Sequence, residues 1–457
     1  MPIAENEPML DASRTERGAA IMPRSRPSLD HVGLLDATAF ARAVSRQIVA
    51  MRMSGTPLSL SLIDLEGGLA DTDSSAVEST MRLGLEIANQ LRQRAGECHD
   101  VALLGAFKFV AVHDASRSLS PIVADIAAEV KPRHESAKVM TTHAHEVRLD
   151  GDLSELDSLR AIQHLLKRFG AARPGAFTPG SLSVCHREWL AESVEWSDRI
   201  RRAIGGGRFS LAFQPIVGMA DGRIQHFEAL LRLPDETALA PYEFVTMAEQ
   251  LGSIAELDLA VAQRVIGLLR SAPGRPDSIA INVSGRSLVT PGFVDALVGQ
   301  ISRSADLAPF LLFEVTESAK ITDLHSVNRA LQTLRRFEIR VCLDDFGSGA
   351  AAFEYLRALE VDILKIDGSF IQDAAVSKFN RAFIRSIAAL CDGLGIGTIA
   401  EMVEDEATAR VVREAGISHG QGFHFGRPAP IESFGALLCG VQIDPRTRPL
   451  AGSSFGG

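Results

Sequence analysis

The chain has 457 residues, of which 46% are apolar and 23% charged, with a formal net charge of −10. That length allows two or three domains and at least one sizeable core. An acidic surface argues against broad binding to DNA, RNA or anionic membranes. No run of about 18 uncharged apolar residues is present, which excludes an obvious membrane span.

In chain order, residues 1–29 carry acids among the first positions and no apolar segment, so they are expected to be a disordered arm and not a secretory signal. Five cysteines, Cys98, Cys185, Cys342, Cys391 and Cys439, are scattered without a close pair. That usage fits a reduced, cytoplasmic chain without disulfides or a cysteine metal site. Residues 30–170 form a first predicted domain. "FGAARPGAFTPGSLS" then breaks the periodicity with Gly, Pro, Ala and Ser and predicts a linker over 171–193. A larger domain is expected over 194–443, and a tail over 444–457, where apolar periodicity is lost.

In the larger domain, short apolar runs recur between amphipathic stretches. They are "FSLAFQPIV", "HFEALLRL", "SIAINVS", "FLLFEVTE", "IRVCLDDFG", "DILKIDG", "IGTIAEMVE" and "ISHGQGFHF". Helical patterns such as "SVNRALQTLRRFE" and "NRAFIRSIAALCDGLG" lie between several of them. Eight strand candidates interleaved with helices fit a (β/α)8 barrel. A doubly wound open sheet is the alternative, but no GxGxxG opens its first unit.

Polar residues collect toward the C-terminal ends of these strands: Glu228, Asn282, Glu314, Asp344 with Asp345, Lys365, Glu401 with Glu404, and Gln421. In a barrel those ends meet at one mouth. A lone acid at a strand end is ordinarily a solvated turn residue or a helix N-cap. An acid or amide ending at least six of eight strands is a different matter, because converging carboxylates repel unless cations neutralise them. Oxygen ligands without His or Cys favour Mg²⁺ or Mn²⁺ over zinc. A pair of such ions suits phosphodiester hydrolysis, with Lys365 as the isolated positive charge beside the reacting group.

These residues resemble a known family. "FQPIV", "EALLR", "NVS", "FEVTE", "DDFGSG", "LKIDGSF", "AEMVE" and "QGF" follow the order and spacing of EAL-domain cyclic di-GMP phosphodiesterases. The resemblance implies a TIM-like barrel whose first strand is antiparallel. It also implies hydrolysis of cyclic di-GMP to linear pGpG with two Mg²⁺ or Mn²⁺ ions, in a homodimer formed through this domain. Glu228, Asn282, Glu314 and Asp344 resemble first-metal ligands, Asp344 bridging. Asp345 resembles a second-metal ligand, Glu401 a ligand of a metal or of its water, and Lys365 the catalytic lysine. Gln214, Arg232, Glu404 and Gln421 resemble substrate or supporting groups, and Glu317 the carboxylate that holds the loop after Asp345. That loop departs from the family's usual small residue-Gly-Tyr-Ser-Ser, reading Ser348, Gly349, Ala350, Ala351, Ala352. The departure implies a looser loop and reduced or partner-dependent turnover.

Residues 30–170 resemble a degenerate GGDEF diguanylate cyclase domain through "HVGLLDATAFARAV", "LSLSLIDLEGGL" and "DVALLGAFKFVAV". Phe107 and Lys108 stand where the signature acids would be, and Asp64 remains at a metal position. Neither replacement ligates Mg²⁺, so the implied role is a scaffold, a dimer surface or a docking site for a protein partner. The alternative for the whole chain is a catalytically weak cyclic di-GMP receptor. Receptor-type relatives usually lose metal ligands or the lysine, and here all are present.

Overall fold

The computed structural model describes residues 35, 37–66, 74–94, 100–105, 108–130, 141–149, 152–173, 175–234, 240–271, 278–316, 323–347 and 352–434. The expected arm and tail, Phe107, Glu317 and the loop residues 348–351 lie outside them. Among the described residues, no helix is long and apolar enough to cross a membrane.

The N-terminal part runs α1 (Ala37–Ser54), β1 (Leu58–Glu66), α2 (Ser74–Arg94), β2 (Asp100–Gly105), β3 (Lys108–Asp114), α3 (Ser120–Val130), β4 (Thr141–Arg148) and α4 (Glu155–Ala171). Its four strands form one sheet in the order β2-β3-β1-β4, every neighbouring pair antiparallel. Strand alternation sorts the two faces. Leu60, Leu62, Val110 and Val112 pack with α1 and α4, while Ile63, Phe109 and Ala111 pack with α2 and α3.

The expected linker is only partly irregular. Helix α5 (Leu182–Gly205) begins inside it, capped by Ser181, whose Oγ accepts from the Val184 N–H at 3.3 Å. The Gly/Pro composition ends at Gly180, and the helix-forming sequence behind it decides the local structure. One end of α5 belongs to the N-terminal core through Leu182 and Cys185, the other to the barrel core through Ile200 and Ala203.

The eight expected strands all form: β5 (Ser210–Gly218), β6 (Ile224–Arg232), β7 (Ser278–Val283), β8 (Leu311–Thr316), β9 (Arg340–Phe346), β10 (Ile363–Ile366), β11 (Gly397–Ala400) and β12 (His419–Gln421). They close into a barrel in which β5 runs antiparallel to both neighbours, β6 and β12. The remaining pairs are parallel. Around them lie α6 (Pro241–Leu251), α7 (Ile254–Ser271), α8 (Gly285–Leu288), α9 (Phe293–Ser302), α10 (Leu324–Arg335), α11 (Ala352–Ala358), α12 (Gly368–Gln372), α13 (Lys378–Leu394) and α14 (Glu406–Glu414).

Lys108 has a structural use. Its Nζ donates to the carbonyls of Phe169 (2.6 Å), Gly170 (3.2 Å) and Ala172 (2.5 Å), and lies 5.0 Å from the centre of the Phe169 ring. The last carbonyls of a helix lack intrahelical donors and carry partial negative charge, so an ammonium there caps α4. Lys108→Met, which keeps the stem and removes the donors, is expected to cost about 1–3 kcal/mol. Urea unfolding would show this as a lower midpoint; an unchanged midpoint would refute the cap.

Candidate active site

Six side chains, Ile216, Ala280, Leu312, Cys342, Ile363 and Ile399, one from each of six strands, form a buried cluster inside the barrel. On the other two strands, His226 lies opposite Ile216, and His419 opposite Ile399. Residues two apart on a strand share a face. One such step toward the mouth on the eight strands brings Gln214, Glu228, Asn282, Glu314, Asp344, Lys365, Glu401 and Gln421. The eight strands thus contribute one polar group each, directly above an apolar plug.

Lys365, 1% exposed, is the hub of this layer. Its Nζ lies 2.9 Å from Glu401 Oε1, 3.0 Å from Asp344 Oδ1, 3.1 Å from Glu314 Oε2 and 3.4 Å from Glu228 Oε2. Glu228 is held on both oxygens. Asn282 Nδ2 donates to Oε1 at 2.8 Å, and Gln421 Nε2 to Oε2 at 2.6 Å. Gln421 also donates to Gln214 Oε1 at 3.2 Å, and Gln214 Nε2 to the Gly426 carbonyl at 3.1 Å. Both glutamines therefore form an amide relay that steadies Glu228.

Adjacent strand residues normally point to opposite faces, yet Asp344 and Asp345 serve one site. The register explains this: Leu343 opposes Leu364 and Phe346 opposes Ile366, so two residues of β9 face the single residue Lys365 of β10. This is a β-bulge, which re-aims side chains. Asp345 completes it with φ of +58°, in the left-handed region. Such a conformation costs on the order of 1–3 kcal/mol and persists where surrounding structure enforces it. Its result is that ligand oxygens of Asp344, Asp345 and Glu401 lie within 4.8 Å of one another.

Burial makes this charge cluster respond strongly. Desolvation, reinforced by neighbouring carboxylates, pushes Glu401 up to about 8, Asp345 up to about 7, Asp344 above its ordinary value and Glu314 well above it. Glu228 goes the other way. Burial opposes its ionisation too, but Lys365 and the amides of Gln421 and Asn282 together outweigh it. For Lys365, burial alone would lower the pKa, and the surrounding carboxylates raise it well above the ordinary value. One ammonium is too little counter-charge for five acids. Glu314 Oε1 is buried without a hydrogen-bond partner among the described residues. An all-oxygen donor set with an orphaned carboxylate oxygen fits hard divalent cations.

Three expected residues stand apart from the layer. Arg232, at the end of β6, is half-buried, and its Nη1 donates to the Leu231 carbonyl at 2.9 Å. Glu404 is exposed on the segment after β11. Glu317 lies outside the described residues. Close approach at Gly422 was not read from the sequence: a Cβ there would sit 2.1 Å from the Val403 carbonyl oxygen. The signal was the glycine directly after Gln421, which lets that turn pack on the segment following Glu401.

Comparison with known proteins places this layer in context. The EAL domain family matches residues 197–428. The cyclic di-GMP phosphodiesterase PdeB of Shewanella oneidensis is 36% identical over 245 residues, covering 52% of this chain and 29% of its own. The cyclic di-GMP phosphodiesterase NbdA of Pseudomonas aeruginosa is 26% identical over 432 residues, covering 90% of this chain and 54% of its own. This chain thus spans about a third to a half of the length of these curated relatives. The structure of the EAL enzyme Bd1971, in its cAMP- and cyclic-di-GMP-bound form, shares the fold with a TM-score of 0.50 at 20% identity, over 84% of this chain and 95% of that one. With the family match spanning the barrel and every strand-end group in place, the chain belongs to the EAL-domain family.

Proposed function

We propose that the chain hydrolyses cyclic di-GMP to linear pGpG, using two divalent cations, Mg²⁺ or Mn²⁺. The observation that carries this reading is the Lys365 hub. Five carboxylates, Glu228, Glu314, Asp344, Asp345 and Glu401, surround one ammonium, and with all five ionised their excess charge would match two divalent cations. Relatives named cyclic di-GMP phosphodiesterases supply the substrate class.

Glu228, Asn282, Glu314 and Asp344 would hold the first cation, Asp345 the second, with Asp344 between them and Glu401 on a cation or its water. Bound cations supply activation of a water and neutralisation of the phosphodiester charge. Lys365, kept protonated by its carboxylate neighbours, orients that water and steadies the charge gathering on phosphate oxygens. Arg232 at the mouth reaches a substrate phosphate, and Glu404 contacts substrate from the rim. Gln214 and Gln421 keep Glu228 ionised and aimed. In the net reaction one P–O bond of the ring opens, water giving its hydroxyl to phosphorus and its proton to the departing oxygen.

The N-terminal domain fits a degenerate GGDEF-type module that regulates the barrel or docks a protein partner, since Lys108 spends its charge on α4. A homodimer through the barrel is supported by a line of aromatics reaching the surface. Phe346, next to Asp345, packs on Phe353 at 5.4 Å, and Phe370, which a Cβ at Gly347 would touch, stacks on Phe383 at 4.1 Å. Phe353 and Phe379, the outer members of this line, are 57% and 71% exposed, apolar surface of the kind that a partner covers.

Purified protein with Mn²⁺ is expected to convert cyclic di-GMP to pGpG and to stop on chelation. Glu228→Ala removes turnover, and Lys365→Met lowers kcat by about 10²–10³. Tight binding without product would favour the receptor reading instead. Ala350→Tyr combined with Ala351→Ser is expected to raise kcat, and an equal or lower rate would show that these alanines are no defect. Phe379→Glu is expected to shift sedimentation from dimer to monomer and to lower turnover; an unchanged sedimentation coefficient would rule this surface out.

A further inference from the structure

One buried carboxylate has no part in the polar layer. Asp258, on α7, is 6% exposed, and burial pushes its carboxyl up to about 7. Among the described residues no Lys, Arg or His lies within ion-pair distance of it. A carboxyl group costs free energy in such a place, where an apolar side chain would not. What it does there is local and specific. Its Oδ2 accepts from the backbone N–H of Ser284 at 2.9 Å. From the other side, Ser284 Oγ donates to Glu249 Oε1 on α6 at 2.6 Å and accepts from the Arg286 N–H at 3.2 Å. Two helices thus grip one residue at the turn between β7 and α8.

Ser284 stands two positions past Asn282, whose Nδ2 meets Glu228 Oε1 at 2.8 Å. An amide can turn either end toward a neighbour, and only one orientation leaves oxygen for a cation. The donation to Glu228 leaves Asn282 Oδ1 free of that carboxylate, and the backbone held at Ser284 fixes the end of β7 from which the side chain reaches. We propose that Asp258, together with Glu249, is a positioning residue for the cation site, fixing the Ser284 backbone so that Asn282 donates to Glu228 and keeps Oδ1 for a cation. This rests on the two-cation reading above, and adds two helix residues outside the barrel to the machinery.

The test is manganese titration calorimetry on the full chain, alongside kcat and KM for cyclic di-GMP. Asp258→Ala is expected to weaken Mn²⁺ binding about tenfold and to lower kcat similarly, as loss of groups that orient metal ligands does, with KM changed less than about twofold. Asp258→Asn, whose Oδ1 still accepts from Ser284, is expected to restore both. A purely structural Asp258 would lower Tm while leaving Mn²⁺ affinity and kcat at wild-type values, and that result overturns the proposal. Should Asp258→Ala not fold, Glu249→Ala at its partly exposed site is expected to weaken Mn²⁺ severalfold; wild-type affinity there overturns the proposal equally. Mn²⁺ binding that follows the variants in a chain without hydrolysis would sink the phosphodiesterase reading and support this one. A wild-type chain that binds no Mn²⁺ would overturn both.

Discussion

A single buried ammonium organises the barrel. Lys365 touches four carboxylates supplied by β6, β8, β9 and β11, and no two of those strands are neighbours except β8 and β9. Without it, acids brought together at low exposure would protonate or force the strand ends apart. With it, they are held close but undercompensated. The apolar layer beneath, from Ile216 to Ile399, keeps water from one side and strengthens the interactions above it. Fold and charge are therefore one constraint: barrel closure brings the acids together, and the lysine makes that closure tolerable.

Backbone geometry carries a second part of the cost. Asp345 and Met402 both adopt left-handed φ, +58° and +54°, and each lies directly after a proposed cation ligand. Neither residue is glycine, so neither is relieved of the Cβ clash that disfavours this region. Both lie within the segments that bring the Asp344, Asp345 and Glu401 oxygens within 4.8 Å of one another. Gly422 contributes in the opposite way, by having no Cβ where the Val403 backbone passes.

The barrel was legible because its strands carry local evidence: a short apolar run, in most a polar residue at the mouth end, and from β6 onward a helix before the next strand. The polar strand-end residues from Glu228 to Gln421 could be read locally, whereas Gln214, inside β5, entered only through the resemblance; the layer assembles once the strands close. The bulge could not be read locally, because it depends on which residue of β10 opposes Asp344 and Asp345. Asp258 was hidden for a related reason. On α7 it looks like one polar position on a helix, and its meaning comes from the Ser284 N–H more than twenty residues later. Lys108 was read only as a lost ligand; its role as a cap needs the carbonyls of α4 beside it. The helix inside the expected linker went unread for another reason, since a composition window blurs the point where Gly180 gives way to a helix capped by Ser181.

That last difference changes how the two domains are joined. A Gly/Pro linker would let each domain move freely, whereas α5 is a single helix of 24 residues, about 36 Å long at 1.5 Å per residue. Its first half is fastened to α4 by the Arg168–Glu188 ion pair and by Arg160 lying 4.9 Å from the Trp189 ring centre. Its second half enters the barrel core, with Trp196 packed 6.3 Å from Phe244 on α6. Helix α4 is in turn capped by Lys108 from β3. A continuous run of packed elements thus leads from the sheet of the N-terminal domain to α6, the helix that bears Glu249. Glu249 grips Ser284, and Ser284 sits two residues from Asn282. Lys108 in the first domain and Asn282 in the second are thus joined by packed helices and short hydrogen-bonded turns.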